Sequence, residues 1–441
     1  MKMIWLALLT VMLAACSTLN RGPQAVLPPV LLAPMLPPVD MPIERRAAQF
    51  ISVFNGTTKL DTYVEDSFLV AVPPAEFARF TASIAAQQGK ALNIVSTEKK
   101  SPTSALVFVQ FERAIGVIDL HISEASPNKV DGLRLVKTIV SGDGFEKISA
   151  EFTALPGRAG YVVEKLNDNG RNELVAAHNA GEQFAIGSTF KLYILAELAA
   201  QINAGQRKWS DVVPLSQRSF SSTATGKWPK DSPATLQTLA LQMISVSDNS
   251  AADTLLYTLG RANVERKLAL IGHSAPDKML PFLSTVEAFA LKSPANAELR
   301  DRYLKSTEAQ QRVIIEQERG RLGFDNVDDR TFAKGPAYID SLEWFASPYD
   351  ISKLLDHIRR ARNEQMLQIL AVNPGIGQEA SNWNYAGYKG GSEPGVMSMS
   401  LLLQSKSGQW YSVSSSWNNT TSTVDEAKFV SLMTRLVEAI K

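Results

Sequence analysis

Ser188 and Lys191 form the first pair in this 441-residue chain whose types and spacing can do chemistry. They stand in Phe184-Ala185-Ile186-Gly187-Ser188-Thr189-Phe190-Lys191-Leu192-Tyr193-Ile194-Leu195, where a polar approach passes through a glycine into an apolar helical run. The spacing predicts a helix beginning at Ser188, with both side chains on one face and in contact. A serine hydroxyl becomes a working nucleophile when a neighbouring base takes its proton. A lysine serves as that base when burial or a second cation lowers its pKa. The unpaired N–H groups of a helix start favour an oxyanion forming beside them. A bare Ser-x-x-Lys also arises by chance, as a helix-start serine beside a solvated lysine, so the rest of the chain decides its meaning.

Two further sets follow. Ser247-Asp248-Asn249 presents a hydroxyl, a carboxylate and an amide in succession, after a helix predicted over 235–244. Short polar side chains of this kind also make caps and turns. Tyr388-Lys389-Gly390-Gly391-Ser392-Glu393-Pro394-Gly395 lies between strand-like residues 383–386 and 396–404. Glycines on a strand let a ligand or another chain approach the backbone, and Lys389 adds a cation. The plain alternative is a glycine-rich hairpin with a surface lysine.

Taken in order, the three sets resemble the penicillin-recognising serine hydrolases, with Ser-x-x-Lys, Ser-Asp-Asn and Lys-Thr/Ser-Gly in sequence, and class A β-lactamases in particular. The likeness covers residues 145–441, including a final helix over 424–440. It implies an α/β fold of the β-lactamase and penicillin-binding-protein type, an antiparallel five-stranded sheet flanked by helices. It implies catalytic roles for Ser188, Lys191, Ser247 and Lys389, and substrate binding by Asn249, Gly391 and Ser392. Ser188 would attack a lactam or ester carbonyl, with Lys191 as general base directly or through a water. Ser247 would relay a proton to the leaving nitrogen, and Asn249 would bind the substrate's side-chain amide. Lys389 would hold Lys191 neutral by like-charge repulsion. The N–H groups of Ser188 and Ser392 would form the oxyanion hole, and Asp248 would be structural. The resemblance implies no cofactor and no metal. The substrate would be a small β-lactam or ester, or a peptidoglycan stem peptide.

Three departures stand against the family pattern. Gly390 replaces the usual threonine or serine, removing a hydroxyl that helps bind the substrate carboxylate. Ser398 stands at the spacing where many class A enzymes carry an arginine. The Glu-x-x-Leu-Asn loop motif, whose glutamate activates the deacylating water, is absent; Glu287 and Glu343 are the candidates, each also readable as an ordinary helix or capping carboxylate. An insertion over 290–345 contains a charged helical stretch, 295–319. A subgroup of β-lactamase-like proteins carries such an insertion after an added isomerase-like domain, and for that subgroup lactamase action does not follow from the fold. Three functions are therefore open: a β-lactam hydrolase, a D,D-peptidase or esterase, and a binding protein that is acylated but turns over poorly.

The elements that must position these residues follow from patterning. Residues 1–15 read as an export signal: Lys2 is basic, and the apolar run 4–13 is too short to span a bilayer as a helix. Leu13-Ala14-Ala15-Cys16 resembles the bacterial lipoprotein cleavage box, so Cys16 is the expected lipidation site. With Ser17 after it, an outer-membrane anchor facing the periplasm is favoured. Cys16 is the single cysteine, which excludes an internal disulfide and a cysteine zinc site. Residues 16–42 are proline-rich and read as an extended tether. Residues 43–142 predict a small α+β domain: helices over 45–54 and 75–88, then strands over 92–97, 105–111, 117–122 and 132–136. Its element order resembles the nuclear-transport-factor and ketosteroid-isomerase type. His121 shares a strand face with Asp119 and reads as a surface histidine. Residues 143–441 form the serine hydrolase domain, opened by a helix over 145–155 and strands over 160–164 and 172–177. With 45 basic and 44 acidic residues and no basic block, nucleic acid is excluded as a partner.

Overall fold

The computed structural model describes residues 42–440 apart from 141 and 329. The expected signal, Cys16 and almost all of the tether lie outside the described residues. Helices α1 (Pro42–Phe54), α2 (Asp66–Ala71) and α3 (Pro74–Gln88) lead into four strands, β1 (Ala91–Ser101), β2 (Ser104–Phe111), β3 (Ala114–Ile122) and β4 (Val130–Val140). These pair antiparallel in chain order. Pro74 opens α3 and Gly89, at φ +83°, closes it, since proline suits a first helical turn and glycine tolerates positive φ. Ala105, Val107, Val109 and Phe111 point inward from β2 and meet Phe50, Phe54 and Phe77 in one core. The strands outrun their predicted spans. Lys99 in β1 and Lys137 in β4 still pair with neighbours, at Ala105 and Val117, where apolar alternation has ended. His121 is exposed and bonds Asp131 at 2.5 Å.

The chain continues through α4 (Phe145–Thr153), β5 (Arg158–Leu166), β6 (Glu173–His178), β7 (Phe184–Ala185), α5 (Lys191–Asn203), β8 (Val212–Pro214), β9 (Pro233–Thr235), α6 (Leu236–Ser245), α7 (Asn249–Leu259), α8 (Arg261–Ile271) and α9 (Thr285–Lys292). Within the expected insertion are α10 (Ala297–Leu304), α11 (Glu308–Gln317) and α12 (Arg330–Ala333). The remainder is β10 (Phe345–Ala346), α13 (Pro348–Arg360), α14 (Glu364–Leu370), β11 (Tyr385–Glu393), β12 (Val396–Gln404), β13 (Trp410–Asn418) and α15 (Glu426–Glu438).

A five-stranded antiparallel sheet in the order β11-β12-β13-β5-β6 organises these elements. Strand β12 is buried from Val396 to Leu403, so both faces of the sheet are covered there. On one face Met397, Met399, Leu401 and Leu403 pack with Ile148 and Phe152 of α4 and Phe429, Leu432 and Leu436 of α15. The other face meets the helical layer around α5. That helix is apolar nearly all round, with Leu192, Tyr193, Ile194, Leu195 and Leu198 fully buried, as befits a helix without a solvent face. The charged pair α10 and α11 lies against the same core through Leu299, Tyr303 and Ile314. Its outer surface is largely charged, with Leu304 and Val313 also exposed.

Candidate active site

The turn that carries Ser188 is fixed from several sides. Strands β7 and β10 pair, and Ile186 donates its N–H to the Trp344 carbonyl at 3.0 Å. Asn418, at the end of β13, accepts from Ala185 N at 2.8 Å and donates to Ala185 O at 2.9 Å. Phe190 lies flat on Trp344, with ring centroids 3.9 Å apart. Residues Gly187–Phe190 form one 3-10 turn, and α5 begins only at Lys191. The helix thus starts three residues later than predicted. Gly187 adopts φ +46°, a conformation glycine accepts without strain.

Strand β11 is the free edge of the sheet and presses its backbone onto this turn. A Cβ on Gly391 would lie 2.2 Å from Ile186 O and 2.4 Å from Ser188 N. A Cβ on Gly187 would lie 3.1 Å from Ser392 N. Only glycine permits such contact at position 391. It brings the N–H groups of Ser188 and Ser392 alongside each other, the requirement for a two-donor oxyanion site.

Lys191 is fully buried, while Ser188 is half-buried beside it. The Lys191 amine lies 3.1 Å from Ser188 Oγ, 3.1 Å from Ser247 Oγ, 2.6 Å from the Ser247 carbonyl and 2.6 Å from Asn249 Oδ1. The Asn249 orientation is set by its amide nitrogen, which donates to the Phe220 carbonyl at 2.7 Å. Its oxygen therefore faces the lysine. A neutral amine has two hydrogens and a lone pair. The carbonyl and amide oxygens are pure acceptors and take both hydrogens, leaving the lone pair for a serine O–H. Burial lowers the Lys191 pKa to about 7, against the opposing pull of Asp253 and Asp248. The neutral base is thus well populated near neutrality.

Lys389 is also fully buried. It donates to Ser247 Oγ at 3.0 Å and to the Gly390 carbonyl at 2.5 Å. Burial first, and then the neighbouring Lys191, depress it well below the ordinary lysine range. The expectation that Lys389 stays charged and keeps Lys191 neutral therefore changes form. Both amines are depressed, and the pair resists carrying two charges at once. Ser247, between them, sits at φ +59°, a left-handed conformation rare outside glycine. That backbone turns its carbonyl and its hydroxyl toward the same lysine.

The other two members of the second motif face inward. Asp248 caps α7 by accepting from Ala251 N at 2.9 Å, and holds Thr225 through its Oγ1 at 2.6 Å and its N at 2.9 Å. It is structural, as expected. Asn249 has its oxygen on Lys191 and one N–H on Phe220, so a single N–H remains for a substrate.

Neither candidate deacylating glutamate is hydrogen-bonded to Ser188 or Lys191. Glu287 closes the capping box of α9 with Ser284 and accepts from Tyr257 and Arg261 at 2.8 and 2.6 Å. Glu343 pairs with buried Lys292 at 2.5 Å, and Lys292 also binds Glu393 at 2.7 Å. Among the described residues no carboxylate is hydrogen-bonded to the Ser188–Lys191 pair.

Gly390 has a steric reason that sequence reading missed. A Cβ there would stand 2.1 Å from Tyr388 Oη, and a Cβ on Gly375 would stand 2.5 Å from the same ring. Tyr388 thus occupies the space a threonine at 390 would need. Burial pushes its phenol up to about 12, so it remains an O–H donor. The two glycines facing one aromatic were the available signal, but only the fold brings Gly375 to Tyr388. Ser398 pairs with Gly391 rather than Gly390, and accepts from Thr189 Oγ1 at 3.1 Å. It is a strut between β12 and the nucleophile turn, on the face away from Tyr388.

A family model described as the beta-lactamase enzyme family matches residues 145–374, and the chain belongs to that family. Solved structures that it resembles include a β-lactamase from Sphaerobacter thermophilus, at 19% identity and a TM-score of 0.46, covering 67% of this chain and 94% of that one. A second is the putative class A β-lactamase PenP from Rhodopseudomonas palustris, at 17% identity and 0.47, covering 68% and 98%. A third is a penicillin G acyl-enzyme of a protein named PBP-A, at 15% identity and 0.44, covering 66% and 93%.

Proposed function

We propose that this protein is a serine hydrolase that opens β-lactam amides or related esters through an acyl-Ser188 intermediate. The observation that carries the reading is the Lys191 amine, 3.1 Å from Ser188 Oγ and depressed to about 7. Neutral Lys191 takes the Ser188 proton as Oγ attacks the carbonyl carbon. The developing oxyanion is received by the N–H groups of Ser188 and Ser392, each such donor contributing about 3 kcal/mol in comparable sites. The proton passes through the Ser247 hydroxyl to the leaving nitrogen, with Lys389 orienting that hydroxyl. Water then releases the acyl group. Asn249 and the Gly391 backbone hold the substrate beside the edge of β11.

A second reading is favoured by one feature, the absence of a carboxylate bonded to Ser188 or Lys191 among the described residues. On that reading a β-lactam acyl group leaves Ser188 slowly, the protein being either a D,D-peptidase or esterase that turns over its own peptide or ester substrates, or a penicillin-binding lipoprotein that acylates but turns over poorly. A chromogenic cephalosporin with intact-mass spectrometry separates the two. Fast turnover without a lasting adduct supports the first. A stable adduct on Ser188, or turnover of esters but not of the cephalosporin, supports the second, and neither turnover nor adduct with either substrate removes both. The protein is further proposed to be anchored through a lipid on Cys16 and to face the periplasm from the outer membrane. Metabolic labelling with a fatty acid tests this, and the label should vanish in Cys16→Ser.

A further inference from the structure

A cavity of about 390 Å³ lies where the end of α3 and the β2–β3 turn meet α4 and α15. Its lining includes Gln88, Arg113, Lys147, Lys428, Ser431 and Arg435. The volume is in the range of small-molecule sites, and far more than a bridging water needs. Its charge is unbalanced. Arg435 is matched by Asp143 and Glu151, each in a two-pronged pair at 2.7–2.9 Å. Besides these, the lining sets Arg113 and Lys428 against Asp425, whose carboxylate already caps α15 at Lys428 N.

Several of these groups have no protein partner. Gln88 is 8% exposed, yet its side-chain amide makes no hydrogen bond among the described residues. The Lys428 ammonium and the Ser431 hydroxyl are likewise unengaged among the described residues. Arg113, which lines the cavity, gives Nε to the Gln87 carbonyl at 2.8 Å and Nη2 to that of Ala86 at 2.9 Å. Native proteins pair nearly all buried polar groups, so the buried Gln88 amide facing a polar cavity calls for a partner, and the cations beside it favour an anionic one. Ala86, Val140 and Leu432 supply an apolar wall.

We propose that this cavity binds a small carboxylate- or phosphate-bearing molecule, its anion on Arg113 and Lys428 and its body against Val140 and Leu432. The site lies between the four-stranded sheet and the helix that packs on β12 and β13. It is separate from Ser188 and does not depend on the serine chemistry proposed above.

Isothermal titration of the full chain with citrate and with inorganic phosphate tests it, the two probes distinguishing the anion class. Saturable binding of at least one is expected. Lys428→Glu, which removes no hydrogen bond of the fold, should weaken it at least tenfold, and Arg113→Gln should do the same. Hydrogen exchange should slow at residues 86–88 and 428–435 on binding. No binding of either anion at about 10 mM, or equal binding by the wild type and Lys428→Glu, overturns the proposal.

Discussion

Lys191 and Lys389 share one hydroxyl, that of Ser247, at 3.1 and 3.0 Å, and both amines are fully buried. Two ammonium groups on one oxygen repel each other, so the first proton the site takes up disfavours the second. Acylation by a lysine base then follows the neutral fraction of Lys191. The acylation rate should rise with pH through about 7 and level above it. In Lys389→Gln burial still governs Lys191, so that limb should stay near 7. Stopped-flow acylation with a chromogenic cephalosporin across pH 5–9 reads this out, and a limb moved to higher pH would show that Lys389 carries the charge while Lys191 titrates.

The stability consequence of Lys191 has a definite sign. Its folded pKa lies below the unfolded lysine value, so between the two the unfolded chain binds more protons. Stability from this group should therefore increase as pH rises from about 7 toward the ordinary lysine range. Lys191→Met should flatten that dependence in urea titrations at pH 7 and pH 9. It should also lower acylation by about 10²–10⁴, the usual contribution of a positioned acid–base group.

Ser188→Ala should leave the fold intact and remove any covalent adduct. The Ser188 hydroxyl has one hydrogen-bond partner among the described residues, the Lys191 amine, which keeps three others. Melting temperature and intact mass after exposure to a β-lactam check both halves. An adduct persisting in the variant removes Ser188 as nucleophile.

Gly390→Thr should destabilise the protein rather than restore a missing hydroxyl. The new Cβ meets Tyr388 Oη, and Gly375 blocks the ring's retreat. Overpacking of this kind costs about 1–3 kcal/mol. Adding Tyr388→Ala should recover part of the loss, and thermal denaturation of the single and double variants measures the coupling.

Lys292→Met leaves Glu343 and Glu393 buried together without their cation. Removing one partner of a buried ion pair costs about 3–5 kcal/mol. Burial and Glu343 already hold Glu393 well above the ordinary carboxylate range. Losing Lys292 should raise it further, so the destabilisation should be larger at pH 8 than at pH 5. Equal loss at both values would show that removing Lys292 leaves proton binding by the folded protein unchanged.

Much of the site was legible because its chemistry is local. Ser188 and Lys191 are one turn apart, and Ser247, Asp248 and Asn249 are consecutive, so spacing alone places each set. Strand β12 was legible in its apolar run, whereas the five-stranded sheet followed from the family resemblance, since the serine-rich β13 carries no such run. What the sequence concealed is set by distant contacts. The left-handed Ser247 has no sequence mark, since serine seldom adopts that backbone. The clamp on Tyr388 needs Gly375 brought across the fold. Glu287 and Glu343 had the right chemistry for a base, but Arg261 and Lys292 engage them, and those ion pairs span 26 and 51 residues.

The turn bearing Ser188 is gripped by Trp344, Gly391 and Asn418, all from the later half of the chain. During synthesis the motif that would attack a carbonyl emerges long before the groups that hold it in shape. A nascent or C-terminally clipped polypeptide would carry the serine and its lysine yet lack the edge strand and the amide bridge to Ala185. On the chemistry proposed above, the site would be complete only once the last strands have folded, and an unfinished chain would carry the serine without its oxyanion donors.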